Sequence, residues 1–378
     1  MNIAFVTNFC PHYRVATFQT LAEQMPVQFY FFSRGTESYW LPEHGVSHGK
    51  FPHEYVRRER DNSISATLRL SRRLCTGRFD AYVKCINGVL PLLATYAIAR
   101  LRRKPFILWT GIWKRIDTRK HRLLMPFTLH LLRNADAIVA YGTHVADYLR
   151  REGVAPARIA VSRHAVDNIT SGRKISASEI ENVRNILGAS GHDRILLYVG
   201  RLAVEKGLDH LLMAVASLPD AFLRLALVGT GELRKDLERQ ARSLEMGKRI
   251  AFVGYVPPAD LPAWYATAWA AVLPSVETPT QKEPWGLVVN EAFNQGCPVV
   301  VSDCVGAAAG GLVRDGDNGF VVPQRNSEAL AKAIQRIMQD EALRNRMGNA
   351  GRKLIRQWGN PEMAQGFRTA IERAVNKE

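Results

Sequence analysis

Short runs of β-branched, aliphatic and aromatic residues recur along this chain at a regular rhythm. They fall at residues 3–7, 27–32, 81–84, 106–109, 137–140 and 159–162, and again at 195–199, 223–228, 250–253, 270–273, 299–302 and 320–322. Between them lie stretches with apolar residues at helical spacing, such as 208–217, 232–244 and 330–338. Strands that are apolar throughout need cover on both faces, and alternating helices supply it when the strands run parallel. Two such series predict an α/β chain of two doubly wound, Rossmann-like parallel-sheet domains.

At 378 residues the chain exceeds what one ordinary core organises. The polar run 167–174 is the expected boundary. It separates an N-terminal domain, 1–168, from a C-terminal domain, 169–360, and Ser176 or Ser178 is placed to cap the helix that follows. The tail 361–378 is expected to begin with a closing helix, with Pro361 in its first turn, that packs back on the first domain. In open parallel sheets, ligands gather outside the carboxyl ends of the strands, where the strand order reverses. Two such sheets are therefore expected to face a cleft that holds the chemistry.

Other classes are narrowed by composition. No run reaches the roughly 18 apolar residues of a membrane-spanning helix; the longest, 88–101, ends in Arg100, Arg102, Arg103 and Lys104. The start of the chain lacks a basic leader and reads as a buried strand rather than a signal peptide. Five scattered cysteines without metal-ligand spacing suggest reduced thiols and a cytoplasmic setting. Charge is lopsided: residues 1–170 hold 25 Lys and Arg against 12 Asp and Glu, net +13 of the chain's +16. So basic a first half predicts an anionic partner there, whether a membrane, a phosphorylated lipid or nucleic acid.

Three strand–turn–helix junctions in the second half carry chemistry. In the first, a strand ends at Gly200, and Arg201 and Lys206 follow before Gly207 and a helix. A forked guanidinium and a point-charge ammonium both suit a diphosphate, and a helix N-terminus adds partial positive charge. The second is Gly229-Thr230-Gly231, where Arg234 stands in place of the third glycine of a dinucleotide fingerprint, so NAD binding is disfavoured. In the third, Glu283 and Glu291 bracket Trp285-Gly286-Leu287 and lead into Gly296-Cys297-Pro298. A carboxylate at each end of this segment suits hydroxyl groups at two ends of a ligand, with first-turn amides between them for phosphate oxygens.

Residues 199–323 resemble the donor half of glycosyltransferase family 4, retaining enzymes of the GT-B fold. Gly200, Arg201, Leu202, Lys206 and Gly207 match that family's Gly-Arg-Leu…Lys-Gly motif, and Glu283 and Glu291 match its Glu-x7-Glu motif. Phe252-Val253-Gly254-Tyr255, Pro274-Ser275 and Asp317-Asn318-Gly319-Phe320 fit the anchors around them. The resemblance implies a UDP- or GDP-sugar as co-substrate. Arg201 and Lys206 would hold the diphosphate, Glu283 the sugar and Glu291 the ribose, with Gly229, Gly254, Trp285, Gly286 and Leu287 lining the donor site. Glu283, Arg201 and Lys206 would act in catalysis. Many relatives use glycan or lipid-linked acceptors at the inner face of the cytoplasmic membrane, and the basic-apolar stretches 64–74 and 120–133 fit such docking.

The first half departs from the commonest family pattern. Pro11-His12-Tyr13-Arg14-x3-Phe18 resembles a Pro-x-Tyr-Arg-x3-Phe motif of bacterial polysaccharide and lipopolysaccharide transferases. Tyr13, Arg14 and Trp109 are the candidate acceptor contacts; Arg14 is equally a surface arginine and Trp109 a core residue by residue type. Where many relatives carry a functional histidine, the chain reads Trp109-Thr110-Gly111-Ile112-Trp113, so no catalytic histidine is assigned. Asp315-Gly316-Asp317 has a metal-binding form, but a tight turn explains it, and neither a metal nor any other cofactor is expected. The rival readings are a sugar-nucleotide epimerase of similar architecture and, from charge alone, a nucleic-acid-binding protein. No nucleic-acid-binding module supports the latter, and no nucleic-acid partner is expected.

Overall fold

The computed structural model describes residues 1–37, 40, 45–58, 61–219 and 223–376, with the side chain of Lys120 outside the described set. That side chain, in the basic stretch 120–133, and residues 377 and 378 of the tail lie outside the described residues. The chain divides into two compact units. One comprises Met1–Trp113, Arg119–Asp167 and the segment from Gly359 onward; the other comprises Lys114–Thr118 and Asn168–Trp358.

The first unit is built on seven parallel strands: β1 (Ile3–Thr7), β2 (Val27–Phe31), β3 (His53–Tyr55), β4 (Ala81–Cys85), β5 (Phe106–Thr110), β6 (Ala137–Ala140) and β7 (Ile159–Val161). Their order is β3-β2-β1-β4-β5-β6-β7. Six of the seven follow the apolar runs of the sequence. The edge strand β3, His-Glu-Tyr and half-buried along its length, carries no apolar run to betray it.

On one face of this sheet Phe5, Phe18, Phe29 and Phe31 form a chain of rings, with Phe18 and Phe29 centroids 4.7 Å apart. The same cluster takes in Met363, Phe367 and Ile371 from the helix Asn360–Val375, so the end of the chain completes the core of the first unit. Burying Phe367 fully contributes roughly 2–3 kcal/mol by area. Helix Ser63–Thr76 is capped by Asn62, whose side chain accepts from the Ile64 and Ser65 amides, and it leaves Ile64 and Leu68 exposed. In helix Arg119–Asn134, Leu131 is buried in the opposite-face cluster and Phe127 packs against it, whereas Leu123 is 81% exposed.

The second unit has six parallel strands: β8 (Arg194–Val199), β9 (Leu223–Val228), β10 (Ile250–Gly254), β11 (Ala270–Leu273), β12 (Val299–Ser302) and β13 (Gly319–Val322). They run in the order β10-β9-β8-β11-β12-β13. Helix Ala177–Ile186 opens with a reciprocal cap: Ser176 accepts from the Glu179 amide while Glu179 accepts from the Ser176 amide. Strand order reverses at β8 in this unit, between its neighbours β9 and β11. That reversal places the junction after β8 beside the junction after β11, which are the two segments carrying the family motifs.

Among the described residues no helix is long and apolar enough to cross a membrane.

Candidate donor site at the strand ends of the second unit

Three strands in a row end on glycines with positive φ: Gly200 after β8 at 151°, Gly229 after β9 at 131° and Gly254 at the end of β10 at 86°. The turns are laced together, Gly200 N–H donating to Val228 O at 3.0 Å and Gly229 N–H to Gly254 O at 2.7 Å. A Cβ on Gly229 would lie 1.9 Å from the Gly200 carbonyl oxygen. That separation is far inside van der Waals contact, so the glycine is there for backbone-to-backbone approach as well as for conformation. Tyr198, fully buried, donates its hydroxyl to Arg201 O at 2.6 Å and fixes the turn from below.

The two motif segments meet. Val276 N–H donates to Glu205 O at 2.9 Å, and a Cβ on Gly207 would lie 2.3 Å from Pro274 O. At the junction Lys206 Nζ pairs with Glu283 Oε2, the two side chains being only 14% and 11% exposed. Ser275 Oγ donates to the same carboxylate oxygen at 3.1 Å. Arg201 pairs with Glu205 four residues on. Each cation thus has a carboxylate beside it, which offsets the cost of holding two positive charges together away from water.

Glu291 lies on helix Val288–Asn294 and accepts a hydrogen bond from Tyr265 Oη at 2.8 Å. Desolvation by the surrounding protein pushes its carboxyl up to about 7, against a smaller downward effect of the Tyr265 hydrogen bond. The lead-in turn holds Gly286 at φ 90°, where a Cβ would meet Leu273 at 2.6 Å. The Gly286 and Leu287 amides make no backbone hydrogen bond to another described residue. Trp285 is different. The residue is 1% exposed, and its ring Nε1 donates to Asn290 Oδ1 at 2.8 Å.

In the first unit the candidate acceptor residues lie deeper than their residue types require. Arg14 is 3% exposed, donates to Ala165 O at 3.3 Å and contacts His164 Nδ1 at 2.9 Å. Its guanidinium lies 5.1 Å from the half-buried Tyr13 ring and 5.6 Å from the Trp109 ring. Desolvation depresses its pKa, and that of His164 falls well below the usual imidazole range for the same reason, with Arg14 adding to it. Trp109 is 5% exposed and packs edge-on against Phe5 and Phe367. Core packing accounts for Trp109, and Arg14 is an internal cation rather than a surface one.

Asp315-Gly316-Asp317 forms a turn. Gly316 has φ 76°, its N–H donates to Gly319 O at 2.9 Å, and Asp315 Oδ1 accepts from the Val321 amide. Glu205, Tyr265 and Ser275 were not singled out by sequence. Ser275 lay within a motif anchor, Glu205 within the Arg201–Lys206 spacing, and Tyr265 had no signal of its own.

These features can be set beside known proteins. Residues 179–354 match the model of glycosyl transferases group 1, and residues 16–168 match that of glycosyltransferase family 4. The chain is 30% identical over 227 residues to alpha-D-kanosaminyltransferase of Streptomyces kanamyceticus, covering 58% of this chain and 55% of that one. It is also 30% identical over 230 residues to the lipopolysaccharide core biosynthesis glycosyltransferase LpsE of Rhizobium meliloti, covering 61% and 62%. The matches thus span little more than half the length of these curated relatives. Anabaena HepE, solved in complex with UDP and glucose, superposes with a TM-score of 0.77 at 20% identity, over 97% of this chain and 98% of that one. The likeness in fold is to GT-B proteins, with two Rossmann-like parallel-sheet domains. With one model matching most of each half, the chain belongs to the glycosyltransferases of group 1 and family 4.

Proposed function

We propose that this protein is a retaining glycosyltransferase that takes a sugar from a nucleoside-diphosphate sugar bound in its second unit. The observation that carries this is the Lys206–Glu283 pair, which joins the two motif segments at the strand-order reversal and sets Arg201–Glu205 alongside. Breaking the anomeric bond leaves an electron pair on the diphosphate oxygen and positive charge on the sugar ring. Arg201, Lys206 and the amides of Gly286 and Leu287 stabilise the departing negative charge, the effect that usually dominates such catalysis. Glu283 accepts hydrogen bonds from the sugar and Glu291 from the ribose. The acceptor oxygen forms the new bond to the anomeric carbon on the face the diphosphate leaves, and its proton passes to the leaving phosphate oxygen. No separate side-chain base is required by this route, and no metal is assigned.

The name of LpsE supports surface polysaccharide or lipopolysaccharide synthesis as the setting, and the UDP held by HepE supports a UDP-linked sugar as the donor. We assign the acceptor, a glycan or a lipid-linked glycan, to the basic first unit. The exposed Ile64, Leu68 and Leu123 among arginines suit peripheral docking on the cytoplasmic face of an anionic membrane. A thermal-shift panel of UDP-, GDP- and other nucleotide sugars tests the reading: one of them raises the melting temperature, and the rise is lost in Lys206→Ala. A folded protein that responds to none of them would end it.

A further inference from the structure

The second unit holds another cavity, about 640 Å³, at the C-terminal end of helix Val288–Asn294, opposite the end that borders the strand-end site. None of the donor-site residues lines it. We propose that this cavity is a second anion site, which takes a compact phosphate-bearing ligand.

Five cations line it: Arg173, Lys174, Arg344, Arg352 and Arg356, and no carboxylate does. Among the described residues, the one ion pair made by any of them is Arg173 with Glu179 at 2.8 Å. Three of the five stand in a row on one helix. Arg344 and Arg352 lie within Glu341–Ile355 and Arg356 caps it, at spacings of eight and four that bring them to one face. Like charges so placed repel one another, and a bound anion would relieve this.

The row is also held in place. Gly348, midway between Arg344 and Arg352, is where a Cβ would lie 2.1 Å from the Gly296 carbonyl oxygen, so the helix presses on the Gln295-Gly296 turn. Arg352 donates to Gln295 O at 2.7 Å, and its guanidinium covers Gly296 at φ 65°. Arg344 donates to the carbonyl oxygens of Ala268 and Trp269, each at 3.3 Å, with its guanidinium 5.6 Å from the Trp269 ring. Arg344 also donates to Asn345 Oδ1 at 3.0 Å, so it is fixed through all three nitrogens, whereas Arg352 is oriented by one backbone carbonyl and keeps further N–H donors for phosphate oxygens. Lys174 and Arg356 are exposed and complete the charge.

The chemistry is common to a free phosphorylated metabolite and a phospholipid headgroup, and the test separates them. Inorganic pyrophosphate is titrated calorimetrically at low salt into the full chain, into Lys206→Ala and into Lys174→Gln/Arg356→Gln, whose two residues touch little else. Binding should persist in Lys206→Ala and fall by about tenfold or more in the double variant, and salt should weaken it. Should the double variant melt differently from the parent without ligand, Arg356→Gln alone takes its place. If pyrophosphate does not bind but phosphatidylglycerol vesicles do, and the double variant abolishes that, the anion is a headgroup and the site stands. Binding lost in Lys206→Ala yet unchanged in the double variant overturns the proposal, as does failure of both probes.

Discussion

Tyr265 donates its phenolic hydrogen to Glu291 at 2.8 Å, placing a hydroxyl from the helix Leu261–Thr267 on the carboxylate that is proposed to grip the ribose. Because burial raises the Glu291 pKa from 4.5 to about 7, folding favours its protonated form. The stabilising contribution is complete below the unfolded value near 4.5 and declines as pH rises through about 7. Glu291→Gln should flatten that part of the stability–pH curve, read by urea unfolding at several pH values. A curve as steep in the variant as in the parent would count against the assignment. On the proposed function, nucleotide affinity should also climb as pH passes through 7, and Tyr265→Phe should move that rise to higher pH by removing a hydrogen bond to the ionised form.

Lys206→Ala and Glu283→Ala should each lower transfer by roughly 10²–10³-fold, the range seen when one preorganised electrostatic contact to a transition state is lost. Removing one partner leaves the other charge uncompensated in a poorly exposed site, so a modest loss of stability accompanies it. Steady-state kinetics with the donor identified by thermal shift, alongside circular dichroism, provides the check. Variants that fold and turn over like the parent would remove both residues from the mechanism.

Gly229→Ala is predicted to be far more damaging than its size suggests. Its Cβ would strike the Gly200 carbonyl oxygen at φ 131°, so the turns after β8 and β9 must separate. A loss of about 2 kcal/mol or more in denaturant unfolding is expected, from strain and from the disrupted turn together. An alanine tolerated within a few tenths of a kcal/mol would show that the close approach is relaxed in solution.

Arg14 separates a ligand contact from an internal strut. Its guanidinium serves Ala165 O and His164 inside the first unit, so Arg14→Ala should cost about 2–4 kcal/mol through unsatisfied groups and an empty space. Equilibrium unfolding decides. Wild-type stability combined with a raised KM for acceptor would return Arg14 to the acceptor-binding surface.

Membrane docking is checked by sedimentation with phosphatidylglycerol vesicles. Binding should weaken as salt rises and weaken further in Leu68→Ser/Leu123→Ser, two exposed leucines whose loss leaves the core intact. Equal recovery on neutral vesicles at high salt would contradict it.

The fold was legible because its signals are local. Apolar runs gave twelve of the thirteen strands, and Ser176 with Glu179 spelled out a helix start. What was missed lacked such a signal: β3 is a three-residue edge strand with no apolar alternation. In the site, the glycine-bounded motifs pointed to Arg201, Lys206, Glu283 and Glu291, since their spacing along the chain reflects strand-end turns. Their actual partners were not legible. Tyr265 reaches Glu291 from a separate helix, and Glu205 pairs with Arg201 although it reads as an ordinary turn carboxylate. Trp109 and Arg14 show the converse limit. Residue type does not reveal depth, and a ring and a guanidinium suited to ligand contact are enclosed by their own neighbours.

The helix Asn360–Val375 has a bearing on how the molecule is made. Phe5 and Trp109 leave the ribosome early, yet Phe367, which covers them, is translated only after the whole of the other unit. The nascent first sheet must therefore wait with an open apolar face while Asn168–Trp358 is synthesised and becomes free to fold, a window in which holding chaperones would find their target.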